Sequence, residues 1–331
     1  MLHLGSMRPS IRNNTPEFYS LISSVIVTSF LVSLYTTSLI SISIIILFKS
    51  VYLTMLLLVV ISAFVISVFI SIFITALFAS LSFTVGLDPD LVTYPIISSI
   101  NDVIISAIYY FFIILSLKGI FRTILIIFAI IIVFLVAYLV YEYYDDILFK
   151  QTVKEAFSAG ILAVSIASIS GHFLKSVENV LIAYPEALII LPTILTCLGD
   201  QGSMYSSRTT TRLHRGTIEP IISSYFETEN LTNIFIILFA GMTIFTVYGA
   251  IGVLSSGNVN RMLPFILALY IVNLIGAFIV SFLGFVIAIT SFNYSMNPDN
   301  FAIPLVTTLT DLFFTIILVS VVSFIYSLFG V

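Results

Sequence analysis

Leu87-Asp88-Pro89-Asp90-Leu91-Val92-Thr93-Tyr94-Pro95-Ile96-Ile97-Ser98-Ser99-Ile100-Asn101-Asp102 returns, 209 residues later, as Met296-Asn297-Pro298-Asp299-Asn300-Phe301-Ala302-Ile303-Pro304-Leu305-Val306-Thr307-Thr308-Leu309-Thr310-Asp311. At that constant offset both prolines, the Asp90/Asp299 pair, the Ser/Thr pairs and the closing Asp coincide. A second match lies upstream at an offset of 211, where Leu2-His3-Leu4-Gly5-Ser6-Met7-Arg8-Pro9 pairs with Leu213-His214-Arg215-Gly216-Thr217-Ile218-Glu219-Pro220. Two matches in the same order, nearly in register, mark an internal duplication.

The surroundings of the repeat place it in lipid. Of 331 residues 60% are apolar and only 8% charged, against about 25% charged in a soluble domain. A helix crosses the hydrocarbon core with about 20 apolar residues. Nine runs qualify: 20–48, 51–85, 94–117, 120–141, 156–175, 182–198, 231–256, 262–290 and 302–328. They are apolar all round, which excludes the alternating strands of a β-barrel. An all-α polytopic membrane protein of about nine spans is expected, and a water-soluble enzyme is excluded. With 12 Lys+Arg against 16 Asp+Glu there is no basic tract for nucleic acid, and one cysteine, Cys197, allows no internal disulfide.

The first residues carry neither the h-region nor the cleavage site of a signal peptide, so the first span is expected to target and anchor the chain. Nine crossings separate the termini. One side receives Arg8, Arg12, Lys150, Lys154, Arg208, Arg212 and Arg215; the other receives Lys49, Lys118, Arg122, Lys175 and Arg261. The bias favours a cytoplasmic N-terminus in a multi-pass protein of the cell membrane. The loop 199–230 reads as the most polar stretch.

The duplication divides the chain into a first repeat, 1–117, a connecting helix and loop, 118–150, and a second repeat, 151–331. The second has five spans, whereas the first has three and lacks the counterparts of 156–175 and 182–198. Roughly 60 residues, two spans' worth, are expected to be missing from the front. The odd connecting helix makes the repeats parallel. If the chain is complete as written, a second copy or a partner chain is expected to supply the lost wall.

Asp102 and Asp311 stand about two turns inside apolar helices, where a carboxylate costs several kcal/mol unless it meets water, a cation or a partner. Positions four apart share a helix face, so Ser98, Asp102 and Ser106 form one polar stripe and Thr307, Asp311 and Thr315 its counterpart. Hydrogen-bonded packing between helices would explain one such Asp; two equivalent ones, each on the same stripe, point to an ion path. Ser99, Asn101, Thr308 and Thr310 stand beside them as candidate ligands. All-oxygen ligation suits Mg2+ or another hard divalent ion, with no organic cofactor. Asp88, Asp90 and Asp299 read first as caps of helix starts, with attraction of ions as the other reading. Gly199 and Gly202 would allow a broken helix whose free backbone groups line a cavity, with Asp200 and Ser203 beside them.

Gly199-Asp200-Gln201-Gly202-Ser203, Arg212-Leu213-His214 and the two Pro-x-x-(Ser/Thr)-(Ser/Thr)-x-x-Asp helices resemble the transmembrane domain of the MgtE family of divalent cation transporters, in its two-domain form. The resemblance covers nearly the whole chain. It implies five spans per domain, a cation path between two domains, a cytoplasmic domain start, and a last-helix Asp that binds Mg2+, a role falling on Asp102 and Asp311. The usual Gly-Asn after the broken helix reads Gly202-Ser203, and gating through the regulatory cytoplasmic domains of bacterial members is not part of what the resemblance implies here.

Two other functions were open to the residues. Tyr144-Asp145 and Leu198-Gly199-Asp200 weakly match the two motifs of intramembrane aspartyl proteases, which need two carboxylates sharing a proton. Cys197 stands where that pattern has glycine, and Asp145 lies in an acidic loop with Glu142 and Asp146. His3, His172 and His214 lack the paired spacing of a metal hydrolase. A non-transporting membrane subunit is the third reading, made plausible by the missing spans.

Overall fold

A computed structural model describes residue 8 and residues 14–48 and 53–330. Most of the motif at 2–9, Arg12 and Lys49 lie outside the described residues. Among those described there are nine long α-helices and no strand: α1 Pro16–Phe48, α2 Leu53–Val85, α3 Pro89–Ser116, α4 Gly119–Glu142, α5 Ile147–Ala183, α6 Pro185–Arg215, α7 Thr228–Ser256, α8 Met262–Asn293 and α9 Pro298–Phe329. Each overlaps one expected span, and all nine are long and apolar enough to cross a bilayer. The protein is an all-α polytopic membrane protein.

The chain forms two compact units, Met1–Ile161 and Leu162–Val331. In the first, α2 packs against α1, α3 and α4. Val27, Phe30 and Val65 close on Ile132 and Val136 of α4, while Val59, Ala63, Phe112 and Leu125 form a second cluster. Ile127, Ile131 and Phe134 of α4 remain exposed, as lipid-facing side chains should.

In the second unit α6 is the hub, packed against α7, α8 and α9. Its first half contributes Ile190, Ile194 and Leu198 to a core with Phe245, Phe265, Leu269 and Phe314. Its second half corrects the expected broken helix. α6 runs without interruption from Pro185 through Gly199 and Gly202 to Arg215, and ends on Gly216, whose φ of 68° is the left-handed cap that glycine favours. The expected loop 199–230 therefore shrinks to the connection after Arg215, which contains a short 3₁₀ turn, Ile222–Phe226. The polar run 199–210 falls within that expected loop, yet Gln201, Ser203, Ser206, Ser207, Thr209 and Thr210 are all buried among neighbouring helices. Tertiary packing outweighs the low apolarity of the segment.

Candidate cation site

The starts of α3 and α9 carry matching residues. Asn297 caps α9, its side chain accepting from the Asp299 N–H at 3.2 Å, and Asp299 follows in the first turn. Asp299 is thus not the cap; it complements the positive end of the helix from inside the first turn. Asp88 stands at the position equivalent to Asn297, and Pro89 opens α3 as Pro298 opens α9. Pro95 and Pro304 lie inside their helices, where each removes one backbone donor.

Around those prolines the hydroxyls turn back on the helix. Thr308 Oγ1 donates to the Pro304 carbonyl at 2.8 Å and Thr307 Oγ1 to the Ile303 carbonyl at 3.1 Å. Ser99 Oγ donates to the Pro95 carbonyl at 2.9 Å and Ser98 Oγ to the same carbonyl at 3.3 Å. A hydroxyl whose proton is spent on its own backbone offers only lone pairs outward. That leaves each stripe with oxygen acceptors flanking a carboxylate.

On α9, Thr307 and Asp311 are half-buried, whereas Thr310 and Thr315 face the interior, Thr310 Oγ1 donating to the Val306 carbonyl at 2.7 Å. On α3, Asp102 and Ser106 are exposed in their unit and Ser98 is half-buried; Asn101 Nδ2 donates to Ser71 Oγ of α2 at 2.8 Å.

In the second unit α6 crosses the α9 stripe at its glycines. A Cβ on Gly199 would stand 3.3 Å from Thr307 Cγ2, and one on Gly202 would collide with Val306 Cγ1. The glycines act as a notch that brings the α6 backbone onto α9, one turn before Asp311. Asp200 is buried at this level, 8% exposed. Ser203 is 1% exposed, and its hydroxyl has no hydrogen-bond partner among the described residues. Beside the notch, Gln201 Nε2 donates to Asn273 Oδ1 at 3.1 Å, and Asn273 Nδ2 to the Leu238 carbonyl at 2.9 Å.

Both ends of α6 are fastened. Arg208 donates to Asn233 at 2.8 Å, and Arg212 pairs with Glu229 at 3.1 Å and hydrogen-bonds Asn230, both at the start of α7. At the other end the fully buried Glu186 takes both the Arg261 guanidinium, at 3.2 Å, and the Tyr326 hydroxyl, at 2.5 Å, on one oxygen. Sequence reasoning missed Glu186, Arg261, Tyr326, Gln201 and Asn273; a carboxylate in the first turn of an apolar helix was the available signal for the first of these.

Among the described residues no group of three or more His, Cys, Asp or Glu could hold a metal ion. A cation here would rely on single carboxylates, hydroxyls and its own water, as a hard ion such as Mg2+ does. Tyr144 and Asp145 lie in the turn between α4 and α5, with Tyr144 62% exposed, outside any span.

The chain matches no curated protein and no solved structure. A family model, MgtE, described as a divalent cation transporter, matches residues 1–113 and 191–321. These stretches contain both Asp-bearing helix starts and the glycine notch, in a family of transporters rather than enzymes. With most of its length covered by that one model, the chain belongs to the MgtE family of divalent cation transporters.

Proposed function

We propose that the protein moves Mg2+ across the cell membrane along a path to which α3 contributes Ser98, Asp102 and Ser106, and α9 contributes Thr307, Asp311 and Thr315. Ser99, Asn101, Thr308 and Thr310 shape its walls. Gly199, Asp200, Gly202 and Ser203 of α6 border it, and Asp88 and Asp299 stand at one mouth. The chain reads as two parallel repeats, with the N-terminus in the cytoplasm. The observation that carries this reading is the recurrence, at one offset, of a carboxylate with flanking hydroxyls in apolar helices. The glycine notch of α6 over Thr307 supports it, because close backbone approach leaves no room for a bulky side chain over the stripe. Mg2+ keeps several waters and takes one or two carboxylates, which is what two such stripes can offer.

Flux into proteoliposomes containing a Mg2+-sensitive dye tests the path. Asp102→Asn and Asp311→Asn keep the side-chain shape but remove the charge-assisted ligand. Each is expected to lower flux at least tenfold with unchanged folded yield. The double variant should cost less than the product of the two, because the pair acts on one ion. Normal flux in both well-folded single variants would mean that the carboxylates only pack.

A further inference from the structure

We propose that Gln201 and Asn273 are positioning residues that set the register of α6 on α9, and with it the place of the glycine notch over the α9 stripe; their role in transport rests on the cation path proposed above. Gln201 is 3% exposed and Asn273 is fully buried. Gln201 Nε2 of α6 donates to Asn273 Oδ1 of α8 at 3.1 Å, and Asn273 Nδ2 donates in turn to the Leu238 carbonyl of α7 at 2.9 Å. Two amides thus clamp three helices together, directly before Gly202. α7 makes room for the clamp at Gly241, where a Cβ would collide with Asn273 Oδ1 and stand 2.6 Å from Gln201 Nε2.

Stability does not explain the pair. Gln201 Oε1 is buried and has no hydrogen-bond partner among the described residues, a cost that apolar side chains of the same shape would not carry. What an amide adds to an apolar interior is direction, because its bonds form at one rotation and one depth of the helix. Fixing the register of packed helices is the best-attested use of a buried polar side chain.

The notch needs such a device. Gly199 and Gly202 present backbone to α9, so neither supplies a side chain that would key α6 against Thr307 or Val306. A slip of one residue moves a helix by about 1.5 Å and turns it by about 100°, which would carry Gly199 away from Thr307 and bring a side chain over the stripe. The ties at the ends of α6 run through Arg208, Arg212 and Arg261, whose long stems can follow a sliding helix, whereas the short Asn273 side chain cannot. α8, which holds Asn273, packs against both α6 and α9, so a fixed register of α6 on α8 is passed on to α9.

A disulfide reads the register. A Cβ on Gly199 would stand 3.6 Å from Thr307 Cβ, within the separation that a disulfide spans. The full chain with Gly199→Cys and Thr307→Cys, in a Cys197→Ser background, should close that bond on mild oxidation in membranes. Adding Gln201→Met with Asn273→Leu removes both amides at nearly unchanged shape. This change should leave the unfolding temperature in detergent equal or higher, yet lower the cross-linked fraction at least fivefold. Gly241→Ala, which wedges the amides apart, should lower the same fraction. Undiminished cross-linking in either variant, or an amide-free variant that unfolds below its parent, would overturn the proposal. Flux is measured separately with Gly199 and Thr307 intact, and should fall at least tenfold when both amides are removed. Cross-linking lost at undiminished flux would refute a path at the notch and, with it, the role of the clamp in transport. Cross-linking kept while flux is lost would refute the clamp alone.

Discussion

Glu186 is fully buried and accepts two donors on one oxygen, leaving its second oxygen without a hydrogen bond among the described residues. Removing one partner of such a group is worse than removing both, because an uncompensated charge stays behind. Arg261→Ala should lower stability by about 2–3 kcal/mol, less than a wholly dry pair because the guanidinium side chain is 27% exposed. Glu186→Gln in the Arg261→Ala background should recover much of the loss; thermal unfolding in detergent measures both. No single sequence shows this cluster, since its members are 75 and 140 residues apart. Asp146 differs in that its role is local. Slight desolvation raises its carboxyl, but hydrogen bonds outweigh it, among them those from the Leu148 and Phe149 N–H groups at 2.8 and 3.2 Å, and hold it below the usual range. A depressed carboxyl contributes stability above its unfolded value of about 3.9 and loses it as pH falls through the folded value. Asp146→Ala should therefore cost about 1 kcal/mol at pH 7 and progressively less as pH falls below 3.9, read as converging unfolding temperatures.

At the scale of elements, the helices that face lipid were legible and the one at the centre of the second unit was only half so. Hydropathy marks α7, α8 and α9 because lipid and protein both demand apolar side chains there. It stops α6 at residue 198, since Ser203, Ser206, Thr209 and Thr210 look solvated although neighbouring helices enclose them. Thr209 and Thr210 satisfy their hydroxyls on the carbonyls of Tyr205 and Ser206, one turn back, which is how a polar helix half becomes tolerable in a core. The two glycines were visible, but as a break rather than a notch, because the sequence cannot tell a free backbone from a closely approached one. Gly202→Val discriminates: its side chain would meet Val306 and Val280, at the upper end of about 1–3 kcal/mol for overpacking. Gly171→Ala on α5, with nothing within 4 Å of the added Cβ, should instead be neutral or stabilise by up to about 1 kcal/mol. Equal unfolding temperatures for the two variants would contradict the notch.

For the whole molecule, the number of crossings and the family followed from the sequence because both rest on runs and motifs that a single chain displays. The expectation for the sides of the membrane rests on charge, and the second unit turns that into a measurement. The connections after α6 and α8 meet, Asn293 Nδ2 donating to the Pro220 carbonyl at 3.1 Å, while Asn258 lies in the turn between α7 and α8 at the opposite end of these helices. Arg208, Arg212 and Arg215 mark the first of these ends, and positive charge favours the cytoplasm. Ser223, Ser295 and Asn258 are exposed, and Cys197 is the one cysteine to remove first. In a Cys197→Ser background, Ser223→Cys and Ser295→Cys should react with an impermeant thiol reagent only from the cytoplasmic face, and Asn258→Cys only from the other. Labelling of all three from one face would break the alternation of α7, α8 and α9. Labelling of the two serine positions from outside would keep the alternation but reverse the orientation, and with it the cytoplasmic assignment of the N-terminus.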